Sequence, residues 1–124
     1  MPVDRRTTTT HCQTVRGHLL ARIVVPNVGH REVPIVATEI GEALESLGSA
    51  AKGQAFVLDF TDVRILSSMG LGMCVDLKKR ADKMGMKSVL FGADAPLLDL
   101  MKLMRVDRLY TVIADSAGLQ RFLG

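Results

Sequence analysis

A chain of 124 residues, 48% of them apolar, is long enough to bury one ordinary core and too apolar to be disordered. Its 16 Lys and Arg exceed its 13 Asp and Glu only slightly, and no cationic cluster interleaves with aromatic residues, so direct nucleic-acid binding is not indicated. No apolar run approaches the roughly 20 residues needed to span a bilayer, and the first ten residues lack the apolar centre of a signal peptide; membrane insertion is not expected and the cytoplasm is the expected compartment.

Residues 1–9 are polar, with a threonine run and little to bury, and read as a flexible lead-in. Residues 10–124 read as one domain. Val15, Leu19, Leu20, Ile23, Val24 and Val25, interrupted by Gly17, predict two strands joined by a tight turn near Arg16-Gly17, the second over residues 18–25. Pro26, Asn27 and Gly29 break that pattern and mark a loop. A helix over residues 33–47 follows, with Pro34 in its first turn, Val36, Ile40, Ala43, Leu44 and Leu47 on one face, and Gly48 as its C-cap.

Lys52-Gly53 then turns into Phe56–Phe60, a short run, apolar except for Asp59, that suits a strand buried on both faces. From Leu71 the period changes: Leu71, Cys74, Val75, Leu77, Ala81 and Met84 recur mainly at three- and four-residue steps, predicting a helix over residues 70–84 closed by Gly85. Lys87–Phe91 is the next strand. Asp94 can cap a helix with Pro96 in its first turn and Leu97, Leu100, Met101 and Met104 on its apolar face. A last strand is expected over residues 108–113. A short helix from Asp115-Ser116 would dock through Leu119, Phe122 and Leu123. This alternation predicts an α/β sandwich: a mixed, mostly parallel central sheet with helices packed against it.

The chemistry open to such a chain is narrow. His11-Cys12 are adjacent, and His18 and His30 have no ligand partner three or four residues away, so neither a metal nor another cofactor is expected. Cys74 falls on an apolar helix face, where it reads as a small buried hydrophobe. Ser67-Ser68-Met69-Gly70 stands at a strand-to-helix turn, but Leu66 occupies the place of the first glycine in a nucleophile elbow centred on Ser68. A hydrolase would further need His11, His18 or His30 beside that turn. Gly70-Leu71-Gly72 is only part of a dinucleotide fingerprint, and no Gly-Lys-Ser/Thr is present. No catalytic residue is therefore assigned, and an enzyme is not expected. What remains is a serine pair at a helix start. Either hydroxyl could cap the helix; an exposed one could carry a phosphate where free N–H groups and the helix dipole favour an anion.

The run from Val57 to Gly72, VLDFTDVRILSSMGLG, resembles the signature of STAS domains, the anti-sigma factor antagonists: an apolar strand ending in Asp, a loop, then Asp-Ser-Ser/Thr-Gly-Leu-Gly opening a helix. The early hairpin, the Lys87–Phe91 strand and the ending Val106–Ile113 fall where that family places them. The resemblance implies a STAS-like single domain that binds an anti-sigma factor, itself a serine kinase, and so regulates transcription indirectly. It implies that phosphorylation of Ser68 ends the binding, and that Asp59, Ser67, Ser68, Met69, Gly70 and Leu71 serve the partner-binding site. Gly70 and Gly72 match the glycines that let the helix start close to the sheet. Ser67 stands where the family usually has Asp, and Met69 where it has a second small hydroxyl residue. Those two departures favour an alternative, a non-phosphorylated STAS accessory module of a transporter or signalling assembly. A homodimer is left open by both readings. Lys78, Lys79, Arg80 and Lys83 read as a solvated helix face.

Overall fold

The computed structural model describes residues 2–124. Eight strands and four helices follow one another as β1 (Asp4–Arg6), β2 (Thr10–Val15), β3 (His18–Ile23), β4 (Asn27–Val28), α1 (Glu32–Leu47), β5 (Ala55–Asp59), β6 (Ile65–Leu66), α2 (Ser68–Lys83), β7 (Lys87–Phe91), α3 (Ala95–Leu103), β8 (Thr111–Ile113) and α4 (Ser116–Leu123). Six strands form the main sheet in the order β1-β2-β3-β5-β7-β8. The pairs β1–β2 and β2–β3 are antiparallel, and β3–β5, β5–β7 and β7–β8 are parallel. This is the mixed, mostly parallel α/β sheet that the strand–helix alternation predicts.

The central strand β5 divides the core. Its side chains alternate between the two faces, as strand geometry requires. Phe56 and Leu58 join one apolar cluster with Ile40 and Leu44 of α1, Leu77 of α2 and Met101 of α3. Ala55 and Val57 join a second cluster with Val89, covered by Leu119 and Leu123 of α4. Three helices thus cover one face and a single short helix covers part of the other. Of the expected docking face of α4, Phe122 stays outside the core, 38% exposed.

Two expectations at the chain's periphery are corrected. Within the expected flexible lead-in over residues 1–9, Asp4–Arg6 pairs with β2 in the register Asp4↔Gln13, Arg5↔Cys12 and Arg6↔His11. Met1, the first residue of that expected lead-in, lies outside the described residues. Val3 is buried, and its N–H donates to the Thr14 hydroxyl at 2.9 Å. The threonine run is ordered by one carboxylate oxygen on α1: the hydroxyls of Thr7 (3.0 Å), Thr9 and Thr10 (2.9 Å) all donate to Glu39 Oε1. The second correction concerns residues 108–113. Val106–Leu109 forms a 3-10 turn, and only Thr111–Ile113 is strand. Tyr110 between them is buried, and its hydroxyl donates to the Cys74 carbonyl of α2 at 2.6 Å, which pins the turn to that helix.

Candidate functional site

The serine pair is held by a small second sheet in a region whose sequence reads as loop. Asn27↔Ile65 and Val28↔Leu66 pair in parallel, so the segment after β3 and the segment after β5 run side by side. The Pro26 carbonyl accepts from the N–H groups of Arg64 (2.8 Å) and Ile65 (3.0 Å), and the Val28 carbonyl accepts from Ser67 N–H (3.0 Å). These bonds fix the backbone immediately ahead of α2.

Ser67 is the N-cap. Its backbone is extended (φ −73°, ψ 168°), its carbonyl accepts from Leu71 N–H at 3.0 Å, and its hydroxyl oxygen accepts from Gly70 N–H at 3.1 Å. The two serines therefore divide the roles that sequence leaves undivided. Ser67 satisfies the helix, and Ser68, the first helical residue, is exposed and makes no side-chain hydrogen bond among the described residues. Ser67→Ala is expected to lower stability by about 1 kcal/mol, the usual cost of losing such a cap, read as a fall of several degrees in melting temperature. The same change at Ser68 should leave the melt where it is.

Gly70 and Leu71 face inward. Gly70 is buried, and a side chain there would collide with Leu66 Cδ1 and sit 2.9 Å from its Cγ. Leu71 is core. Of the six residues expected to serve a partner, Ser68 and Met69 stand at the surface, Ser67 is half-buried, and Gly70 and Leu71 act by seating the helix start. Asp59 is a turn residue: its Oδ1 accepts from Thr61 N–H at 2.8 Å and from the Thr61 hydroxyl at 2.5 Å, and no hydrogen bond joins it to residues 67–71. Gly72 departs from the expected role too. A Cβ at Gly72 would meet nothing within 4 Å, so this glycine is not needed for close packing on the sheet.

What Gly72 opens onto is a feature that sequence reasoning missed. A groove of about 350 Å³ runs between α1 and α2, walled by Val33 and Ala37 on one side and Met69, Met73 and Leu77 on the other, with Asp76 and Arg80 at its rim. Met69, the residue after Ser68, forms one lip and is 50% exposed; Ile65, just before the pair, is 60% exposed. An exposed hydroxyl flanked by exposed apolar side chains is suited to contact with another macromolecule.

Covalent chemistry finds little support around it. The histidines at 11 and 18 are engaged elsewhere: His18 Nδ1 accepts from Ala55 N–H, with its Nε2 3.0 Å from the Leu123 carbonyl, and His11 pairs with Asp4. No hydrogen bond joins a histidine to Ser68 among the described residues. Burial pushes the Cys12 thiol up to about 11 and the Cys74 thiol up to about 12, so neither supplies a thiolate at neutral pH. Among the described residues no cluster of three His, Cys, Asp or Glu side chains could hold a metal, and no helix is long and apolar enough to cross a membrane.

A family model described as the STAS domain matches residues 30–118. No curated protein sequence matches the chain. Among solved structures, the fold is similar to an anti-sigma-factor antagonist (STAS) domain protein from Planctomyces limnophilus, with a TM-score of 0.76 at 12% identity over 96% of this chain and 100% of that one. It is similar to the anti-sigma factor antagonist SpoIIAA in its unphosphorylated form (TM-score 0.72, 10% identity, 92% of this chain and 96% of that one). It is also similar to the Bacillus cell fate determinant SpoIIAA in the phosphorylated form (TM-score 0.66, 10% identity, 92% and 99%).

Proposed function

The chain belongs to the STAS domain family, and from that premise we propose that it is an anti-sigma factor antagonist switched by phosphorylation of Ser68. In the unmodified form it binds an anti-sigma factor that is a serine kinase, releasing the sigma factor in the cytoplasm; addition of phosphate to Ser68 ends the binding. The domain is taken to run to residue 124 and to include β1 as well as residues 10–124. It acts by binding, without chemistry of its own.

The observation that carries this reading is the division of labour between the serines. Ser67 caps α2, which leaves the Ser68 hydroxyl exposed and unbonded at the helix start. A phosphate there would lie near the free N–H groups of the first turn and the positive end of the helix dipole, so the fold tolerates it. Ser67, standing in place of an Asp, caps as a neutral residue and adds no like charge beside the phosphate. A partner packed over Ser68, Met69 and Ile65 would instead have to bury roughly −1.5 to −2 charges against apolar surface.

The test is direct. Incubation with the cognate anti-sigma kinase and ATP should add one phosphate by intact mass, and Ser68→Ala should abolish the addition. A kinase that binds the protein tightly and leaves its mass unchanged would overturn the switch. It would favour a non-phosphorylated STAS module of a transporter or signalling assembly, a reading supported by Met69, an apolar residue 50% exposed where the family has a small hydroxyl residue.

A further inference from the structure

Three features of the α1–α2 pair bear on the groove between them. The first is Gly72. Glycine is, after proline, the least favourable residue in a helix interior, yet no side chain or backbone uses the space it leaves. The second is Gly41 on α1. A Cβ at Gly41 would collide with the Arg80 guanidinium and sit 3.2 Å from its Cζ, so Arg80 reaches across from α2 onto bare α1 backbone. The third is the charge of Arg80 itself. No carboxylate lies within ion-pairing distance of it among the described residues, whereas Lys78, on the same helix, pairs with Asp82. Arg80 stays on the exposed face to which sequence assigns it, but its guanidinium lies over the Gly41 backbone, and it is an unpaired cation lining the apolar groove.

We propose that this groove seats an apolar side chain of the partner kinase, with a neighbouring carboxylate of the same partner pairing with Arg80. The proposal rests on the partner-binding reading above and names the chemistry of its contact. Val33, Ala37, Met73 and Leu77 supply an apolar floor and walls, and the missing side chain at position 72 supplies depth. Two adaptable thioethers, Met69 and Met73, can adjust to the shape of the insert. Asp76 lies one helical turn nearer Ser68 than Arg80 does and repels a carboxylate placed there, which confines the partner's acid to the Arg80 end and fixes its direction. The chain carries a net charge of +3, so an acidic partner is a better match for the free cation than a second copy of the chain. Because Met69 forms the lip next to Ser68, an insert held here brings the partner over the phosphorylation site. Docking and switching then share one surface.

The experiment uses the full chain and the kinase that phosphorylates Ser68, with dissociation constants measured by calorimetric titration. Gly72→Leu places a side chain in the groove at a position where leucine favours the helix more than glycine does. Its melting temperature should hold or rise while its dissociation constant rises at least about tenfold, the equivalent of ~1.4 kcal/mol. Arg80→Glu, at an exposed position that leaves the fold intact, should weaken binding at least about fivefold, and Arg80→Lys should fall between it and the wild type. Wild-type affinity in both Gly72→Leu and Arg80→Glu, with Ser68→Asp still weakened, would overturn the groove and leave the switch standing. Absence of binding by the wild type would remove both. Self-association of the free chain in sedimentation, abolished by Gly72→Leu, would assign the groove to a second copy and overturn the proposal as well.

Discussion

Ser68→Asp is expected to weaken binding of the partner kinase about thirtyfold while leaving the melting temperature within a few degrees of the wild type. The asymmetry follows from where the residue stands. Ser68 is exposed, makes no side-chain hydrogen bond among the described residues, and is not the cap, so its replacement removes nothing from the fold. A carboxylate in the first helical turn is slightly favourable, typically by about 0.3–1 kcal/mol in an exposed setting. In the complex the same charge faces the partner alongside Met69 and Ile65, both at least half exposed in the free chain. Desolvating one unpaired charge there at a cost of ~2 kcal/mol corresponds to the thirtyfold loss, since ~1.4 kcal/mol is tenfold. A phosphate carries roughly −1.5 to −2 charges and should exceed a hundredfold. Thermal melts and titrations of the same three samples (wild type, the Ser68→Asp variant and the phosphoprotein) separate the two effects. Equal affinities across the series would place the interface elsewhere.

Much of the scaffold around Ser68 is legible in the sequence because local pattern and tertiary need agree there. Lys87–Phe91 is apolar at Val89, Leu90 and Phe91 and bounded by glycines, and it pairs with β5 over its full length. Asp94 and Asp115 are readable as caps because the physics of capping is local: their carboxylates accept from Leu97 N–H at 2.9 Å and Gly118 N–H at 2.7 Å. The change of period near Leu71 places α2 to within two residues of its observed start at Ser68.

The misses are long-range. Nothing near Thr7–Thr10 announces that Glu39, about thirty residues on, will gather three of its hydroxyls and order the lead-in. The pairing of Asn27–Val28 with Ile65–Leu66 involves two residues a side and carries no periodicity to detect, although it sets the backbone ahead of the site. Gly72 reads as a packing glycine by analogy with Gly70, and only the packing around α2 distinguishes them: one meets Leu66, the other opens onto the groove. Arg80 is exposed as its sequence pattern suggests, but where its guanidinium lies is not legible, because the sequence does not place Gly41 opposite it. A glycine in the middle of α1, with alternatives such as alanine costing less in helix propensity, is the available hint. The site is thus half local and half assembled: the serines and their cap follow from neighbouring residues, and the surface around them from helix packing.

Gly70 tests that assembled half most severely. Gly70→Val is expected to destabilise the protein by about 3 kcal/mol, the upper part of the range for overpacking a filled site, and to lower the melting temperature by roughly 10 °C. The obstruction is specific. The first atom a side chain would strike is Leu66 Cδ1, with Leu66 Cγ at 2.9 Å and the Val28 carbonyl oxygen at 3.5 Å behind it. Leu66 belongs to β6, whose pairing with β4 holds the N–H of Ser67 on Val28. Relief of the clash by moving the helix would therefore pull on the segment that positions Ser68, and binding should weaken along with stability. Leu66→Ala alone should cost about 2–4 kcal/mol as a buried cavity. In the double variant the valine fills part of that cavity and loses its obstacle, so its total cost should fall short of the sum of the singles by at least about 1 kcal/mol. Additive losses would mean that Leu66 does not limit the approach of α2, and that the glycine is held by backbone demands alone.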